Sequence, residues 1–264
     1  MNPFPRFFLY LAFDGSRYAG WQSQPNAPSI QQHVEQALSL LARQQVPLTA
    51  AGRTDAGVHA RYMVAHFDAP PPLLASLSLP PRASNTCDCG RLNRLLPPDI
   101  AAFALHPVPP SAHARFDALS RTYQYHLSPH KDPFSRAYSL LYPTSRLDRQ
   151  AMNQAASLLL DYHDFTSFAR LHASARTNLC SVSHAHWDET FTFTITANRF
   201  LRNMVRAIVG TLLDVGRGKL SHDDFARILH ASSRSAASSS APPHGLFLHH
   251  ISYPPSFPME CREK

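Results

Sequence analysis

Thr190–Phe191–Thr192–Phe193–Thr194–Ile195–Thr196–Ala197 alternates polar and apolar residues without a break. A period of two puts successive side chains on opposite faces of a strand. Phe191, Phe193, Ile195 and Ala197 therefore face a core, and Thr192, Thr194 and Thr196 face away. Strands with one covered face belong to antiparallel sheets. The pattern then changes. From Arg199 to Val215 the apolar residues Phe200, Leu201, Met204, Val205, Ile208, Val209, Leu212 and Leu213 recur at helical spacing over a wide arc, and Gly216 ends the run. Arg202 and Arg206 lie one turn apart at the border of that arc.

The same reading extends outward in both directions. Downstream, Ser221 caps a short helix through Leu229, residues 231–243 form a Ser-, Ala- and Pro-rich mobile loop, and Gly245 to Tyr253 is a final strand. Upstream, a helix runs from about Asp148 to Leu160. Before it, Tyr123, Tyr125 and Leu127 alternate with Thr122, Gln124 and His126 as a half-buried strand. Near the start, residues 6–13 read as a buried strand, followed by a polar loop over 14–21. Ser29 and Gln32 have capping-box spacing and open a helix that ends before Pro47. Residues 61–67 read as another strand. Pro70 to Gly90 has no period and reads as a long loop. Order resumes from Leu92 to Ile100, with a turn at Pro97–Pro98–Asp99. Prolines cluster again from Pro107 to Ser111. Strands and helices mix without a βαβ rhythm, so the expected class is α+β. Two similar halves with mixed, mainly antiparallel sheets flanked by helices are expected, spanning 1–110 and 111–264.

The chain has 264 residues and a formal net charge of +7, which favours polyanionic partners. Its cations are mostly arginine, whose planar fork suits phosphate and base edges. The four cysteines, Cys87, Cys89, Cys180 and Cys261, are too sparse for a secreted disulfide framework. Cys87 and Cys89, one residue apart, are poorly spaced for zinc. They read as reduced thiols of a cytoplasmic protein. The apolar run Phe7 to Phe13 lacks a cleavage pattern, and no run is long enough to span a membrane.

The densest polar segment is Ala51–Gly52–Arg53–Thr54–Asp55–Ala56–Gly57–Val58–His59–Ala60. Two glycines bracket an acid and a base, a setting in which an aspartate can be aimed at a ligand and kept ionised by a neighbouring cation. Taken alone, the segment reads more readily as a surface turn with a local ion pair. Tyr123 on its strand could stack on a nucleobase, although core tyrosines are the commoner outcome. An arginine at Arg206, on the edge of an apolar helix face, needs an acidic partner or a route to solvent.

Several separated motifs, in order, resemble the TruA family of tRNA pseudouridine synthases. Phe13 to Gln22 is similar to that family's first strand and loop, and Ala51 to Ala60 to its catalytic loop nearly residue for residue. Phe116 to Tyr125 resembles its substrate-tyrosine strand. Asp164–Phe165–Thr166–Ser167–Phe168, Phe200 to Gly210 and Gly245–Leu246–Phe247–Leu248 resemble later blocks. Pro70 to Gly90 and Arg94 depart from the pattern. The resemblance implies the pseudouridine synthase fold and Asp55 as the catalytic residue. It implies Tyr123 packed on the target base, Arg206 paired with the catalytic aspartate, Arg53 on RNA, and Leu246 lining the uracil pocket. It further implies a tRNA substrate modified near the anticodon, at positions 38–40, and a homodimer. No cofactor, metal or membrane is expected. A catalytically inactive tRNA-binding protein of the same fold is the alternative. A metal-dependent nuclease using some of the 16 histidines finds no His-Glu-x-x-His or paired-cysteine motif to support it.

Overall fold

The computed structural model describes residues 4–78, 89–170 and 177–257. The chain packs as two compact units, Met1–Leu119 with His250–Lys264, and Ser120–His249. Both mix helices with mainly antiparallel strands.

In the first unit, β1 (Arg6–Phe13) is followed by α1 (Ile30–Ala42), β2 (Thr49–Ala50) and β3 (His59–Asp68). Then come α2 (Pro71–Ser76), α3 (Gly90–Asn93) and β4 (Ile100–Val108). β1 lies between β4 and β3, antiparallel to each, and β2 pairs with β3. A central strand has both faces to cover, which is why β1 is a continuous apolar run: Phe7 through Leu11 are all fully buried. Ser29 caps α1 by accepting from Gln32 N–H, and Val34 and Leu38 turn its buried face inward. β4 was not legible as a strand because small alanines and Pro107 interrupt its pattern. Only β1 pairs with it in this unit, and an edge strand tolerates proline. The segment expected to be a loop from Pro70 to Gly90 opens instead with α2. Proline at a helix start costs no hydrogen bond, Leu73 is buried, and Ser76 Oγ donates to Leu41 O at 3.1 Å. Cys89 is buried, while Cys87 lies outside the described residues.

In the second unit, β5 (Ser120–Ser128), β8 (Thr192–Ala197) and β7 (Val182–Trp187) form an antiparallel set in that order, with β6 (Leu140–Leu141) parallel to β5. The helices are α4 (Arg149–Asp161), α5 (Met204–Gly216) and α6 (His222–His230). Phe193, Ile195 and Ala197 are fully buried, as the alternation requires. Thr190 and Phe191 are not part of the strand. Asp188 Oδ1 accepts from Thr190 N–H and Thr192 N–H, both at 2.9 Å, and Phe191 sits at φ 56° in the turn it makes. α4 is tied to β7 by the Asn153 carboxamide, which donates to Trp187 O at 3.0 Å and accepts from Trp187 N–H at 2.8 Å. α5 begins at Met204 rather than Arg199, because Asn203 adopts φ 67°, so Arg202 precedes the helix. Ser221 and Asp224 form a complete capping box on α6. Residues 231–243, expected to be mobile, are instead hydrogen-bonded onto α5, as described below.

The last strand, β9 (Leu246–Ser252), starts in the second unit, and its residues from His250 onward belong to the first. Leu119 N–H donates to Ser252 O at 2.8 Å and Tyr253 Oη to Ala114 O at 2.5 Å. The halves anticipated from sequence differ from these packing units over 111–119 and 250–264, since a returning strand leaves no local signature. No helix among the described residues is long and apolar enough to cross a membrane.

The first unit carries a pH-sensitive group. His66 Nδ1 accepts from Ala114 N–H at 3.1 Å, and the His113 ring lies 4.6 Å away. Burial lowers the His66 pKa from 6.5 to about 4, with the charges of Arg6 and His113 acting the same way. The unfolded chain thus takes up a proton that the folded chain refuses. Stability is present above pH 6.5 and is lost as pH falls toward 4. The thermal midpoint should drop across that window, and His66→Gln should flatten the dependence. A variant with an unchanged slope would exclude His66 as its source.

Candidate active site

Asp55 sits on the loop between β2 and β3. The loop is a tight turn: Val58 N–H donates to Asp55 O at 3.1 Å, and Gly57 takes φ 75°. Asp55 is half-buried, Arg53 is exposed, and Thr54 and Val58 are buried beneath them. The turn is gripped from behind by the loop at residues 14–21. Trp21 N–H donates to Thr54 O at 3.2 Å, and Gly57 N–H donates to Tyr18 O at 3.3 Å. The two backbones meet without side chains between them. A Cβ at Gly20 would stand 2.4 Å from Thr54 O, and one at Gly15 2.0 Å from Val58 O. Gly20 also has φ 96°, which L side chains rarely adopt.

The gripping loop is itself anchored. Tyr18 Oη donates to Asp99 Oδ1 at 2.5 Å, and Arg17 lies 3.6 Å from the other oxygen of that carboxylate. Burial, and then the Asp99 carboxylate, push the Tyr18 phenol well above its ordinary range, so it stays a donor. Ile30 and Gln31 at the start of α1 donate their N–H groups to Gly20 O and Trp21 O at 3.2 and 3.0 Å. The Gln31 side chain accepts from Gln22 and Ser23 and donates to Glu35, whose carboxylate takes Leu48 N–H. His59 is buried, with Nδ1 3.1 Å from Gly15 N and 3.0 Å from Asp14 Oδ1. Its proton decides between them: a neutral Nδ1 accepts from Gly15, and a protonated one donates to Asp14.

The other three residues singled out from sequence lie on separate elements of the second unit. Tyr123 is half-buried on β5, opposite Ile195, and meets the Phe200 ring edge-to-face at 5.1 Å. Its neighbour Tyr125 took the core role: it is fully buried and donates to Pro242 O at 2.9 Å. Arg206 is half-buried in the first turn of α5, and its Nε donates to Ala241 O at 2.7 Å. Leu246 opens β9 and is buried. Among the described residues no group of three or more His, Cys, Asp or Glu is placed to hold a metal ion.

A family model for tRNA pseudouridine synthase matches residues 155–254. The chain is 50% identical over 259 residues to tRNA pseudouridine synthase A of Parabacteroides distasonis, covering 97% of this chain and 99% of the relative. It is 52% identical over 254 residues to the protein of that name from Porphyromonas gingivalis, covering 94% and 97%. With the Bacillus subtilis protein of the same name the identity is 38% over 250 residues, covering 92% and 97%. The chain belongs to the tRNA pseudouridine synthase A family.

Two features of this family member have no local signature in the sequence. Within the polar loop over 14–21, Gly15 and Gly20 let one backbone rest on another. Asp99 was read as part of a turn, and nothing local shows that it holds Tyr18. Replacing Gly20 with alanine should therefore cost about 1–3 kcal/mol in urea unfolding, from the unfavourable φ and the clash with Thr54 O. Gly52→Ala, where an added Cβ meets nothing within 4 Å, should stay within about 0.5 kcal/mol of wild type. Equal losses at the two positions would contradict the backbone-contact explanation.

Proposed function

We propose that the protein isomerises uridine to pseudouridine in the anticodon stem-loop of tRNA, at positions 38–40, with Asp55 as the catalytic carboxylate. It acts as a cytoplasmic homodimer without a metal or other cofactor. The reading is carried by Asp55 itself: a half-buried carboxylate on a turn clamped from behind, in a chain whose relatives match it over nearly their full length.

The chemistry fits that equipment. The N1–C1′ bond of uridine breaks, the base turns, C5 joins C1′, the C5 proton leaves to solvent, and N1 takes up a proton in its place. Electrons and atoms otherwise balance within the nucleotide, so the reaction needs no redox group. Glycosidases likewise place carboxylates beside the anomeric carbon. In the proposed arrangement Tyr123 packs on the base, Leu246 lines its pocket, and Arg206 keeps the aspartate ionised and oriented. Arg53, exposed beside Asp55, contacts RNA. Extracting the uridine from its stack costs a few kcal/mol, least in a loop. The net charge of +7 supports contact with the tRNA backbone, and affinity should fall steeply with salt.

Tritium release from tRNA labelled at uracil C5 tests the proposal. Wild type should release tritium. Asp55→Asn should release none above background while binding tRNA within about threefold of wild type, since the change keeps the side-chain shape and removes only the charge. Near-normal turnover by Asp55→Asn would remove Asp55 from the mechanism. Binding without release by wild type, across several tRNAs, would favour an inactive tRNA-binding protein.

A further inference from the structure

The Ser- and Ala-rich segment before β9 is fastened to α5 at successive points. Arg234 Nη1 donates to Ala237 O and Ser238 O, each at 3.1 Å. Ser238 N–H donates to the buried Thr211 hydroxyl at 3.2 Å. Ser239 O lies against Gly210, where an added Cβ would be only 1.9 Å away. Ser240 Oγ accepts twice, from Asn203 Nδ2 at 2.6 Å and Arg234 Nη2 at 3.0 Å. The next residue, Ala241, forms a reciprocal pair with Arg206: its N–H donates to Arg206 O at 2.9 Å, and its carbonyl accepts from Arg206 Nε at 2.7 Å.

Two aspects of this arrangement are unusual for a surface strap. Asn203 is the N-cap residue of α5, yet its side chain makes no cap hydrogen bond. It reaches Ser240 instead, although a side-chain cap would ordinarily stabilise the helix. And a strap carbonyl fixes Nε of the guanidinium, which sets the plane of the fork and hence the direction of its terminal nitrogens.

We propose that Ser240 is a positioning residue for Arg206. Its hydroxyl joins the start of α5, the Arg234 guanidinium and the strap at one atom, and so places the Ala241 carbonyl that orients the Arg206 side chain. The proposal rests on the reading above that Arg206 serves the Asp55 carboxylate. Ser240→Ala removes both accepted hydrogen bonds and loosens the carbonyl without touching Arg206 itself.

Kinetics and exchange together test it. By tritium release, Ser240→Ala should lower kcat about tenfold with KM for tRNA within about twofold, the signature of lost orientation rather than lost binding. Ser240→Thr, which keeps the hydroxyl, should recover at least about half of the wild-type kcat. In an Arg206→Lys background, Ser240→Ala should cost less than about twofold more, because the hydroxyl acts through the guanidinium. A further tenfold loss in that background, or a loss carried by KM, would overturn the proposal. Independently, hydrogen exchange at Arg206 Nε, followed by NMR on the full chain without RNA, should quicken by about tenfold or more in Ser240→Ala and not in Ser240→Thr. Unchanged exchange in Ser240→Ala would overturn it as well. A wild-type protein that released no tritium would refute the proposed activity, while the exchange result would still decide whether Ser240 holds Arg206.

Discussion

Between Gly20 and the backbone of Thr54 to Ala56 there is no space for a methyl group. A Cβ at Gly20 would stand 2.4 Å from Thr54 O and 3.0 Å from the Asp55 carbonyl carbon. Close backbone approach of this kind is rigid, since peptide planes have few soft degrees of freedom and no rotamers to exchange. The orientation of the Asp55 turn is thereby referred to the loop at residues 14–21. That loop is in turn referred to Asp99 through the Tyr18 phenol and to α1 through Gly20 O and Trp21 O. In the proposed reaction, a carboxylate held in this way has its ordering cost met during folding rather than at the moment of reaction.

The second unit reaches the same end with the same means. At Gly210 the helix surface is bare, and Ser239 O occupies the place a side chain would take. Ser238 to Ala241 then follow α5 closely enough for a main-chain carbonyl to hold an arginine side chain. In both units the side chain proposed to act on the uridine, Asp55 in one and Arg206 in the other, projects from a backbone segment packed on another backbone segment. Side chains with defined hydrogen bonds, Tyr18 in one case and Ser240 in the other, secure the contact from its far side.

Much of this was legible in the sequence because it is local. The alternation of Phe193, Ile195 and Ala197, the Ser29 and Ser221 caps, and the apolar run of β1 each declare themselves within a few residues. The family, too, could be read from motifs scattered along the chain. What failed to show was tertiary. β4 and β7 carry weak patterns and exist as strands through their partners. Phe191 fits the alternation but is diverted by the Asp188 turn. The α5 pattern continues through residues 199–203, yet Asn203 leaves helical geometry to reach Ser240. The tract at 231–243 has the composition of a mobile loop, and its hydrogen bonds to Thr211 and Arg206 of α5 distinguish it from one.

The proposed chemistry on RNA is tested by site-resolved mapping of pseudouridine in a bulk tRNA pool before and after incubation with the purified protein. New pseudouridine confined to the anticodon stem-loop, an equal loss of uridine, and no change in RNA mass or length are expected. A pool whose uridines remain unchanged at every position, or one that is cleaved, would contradict the proposed chemistry.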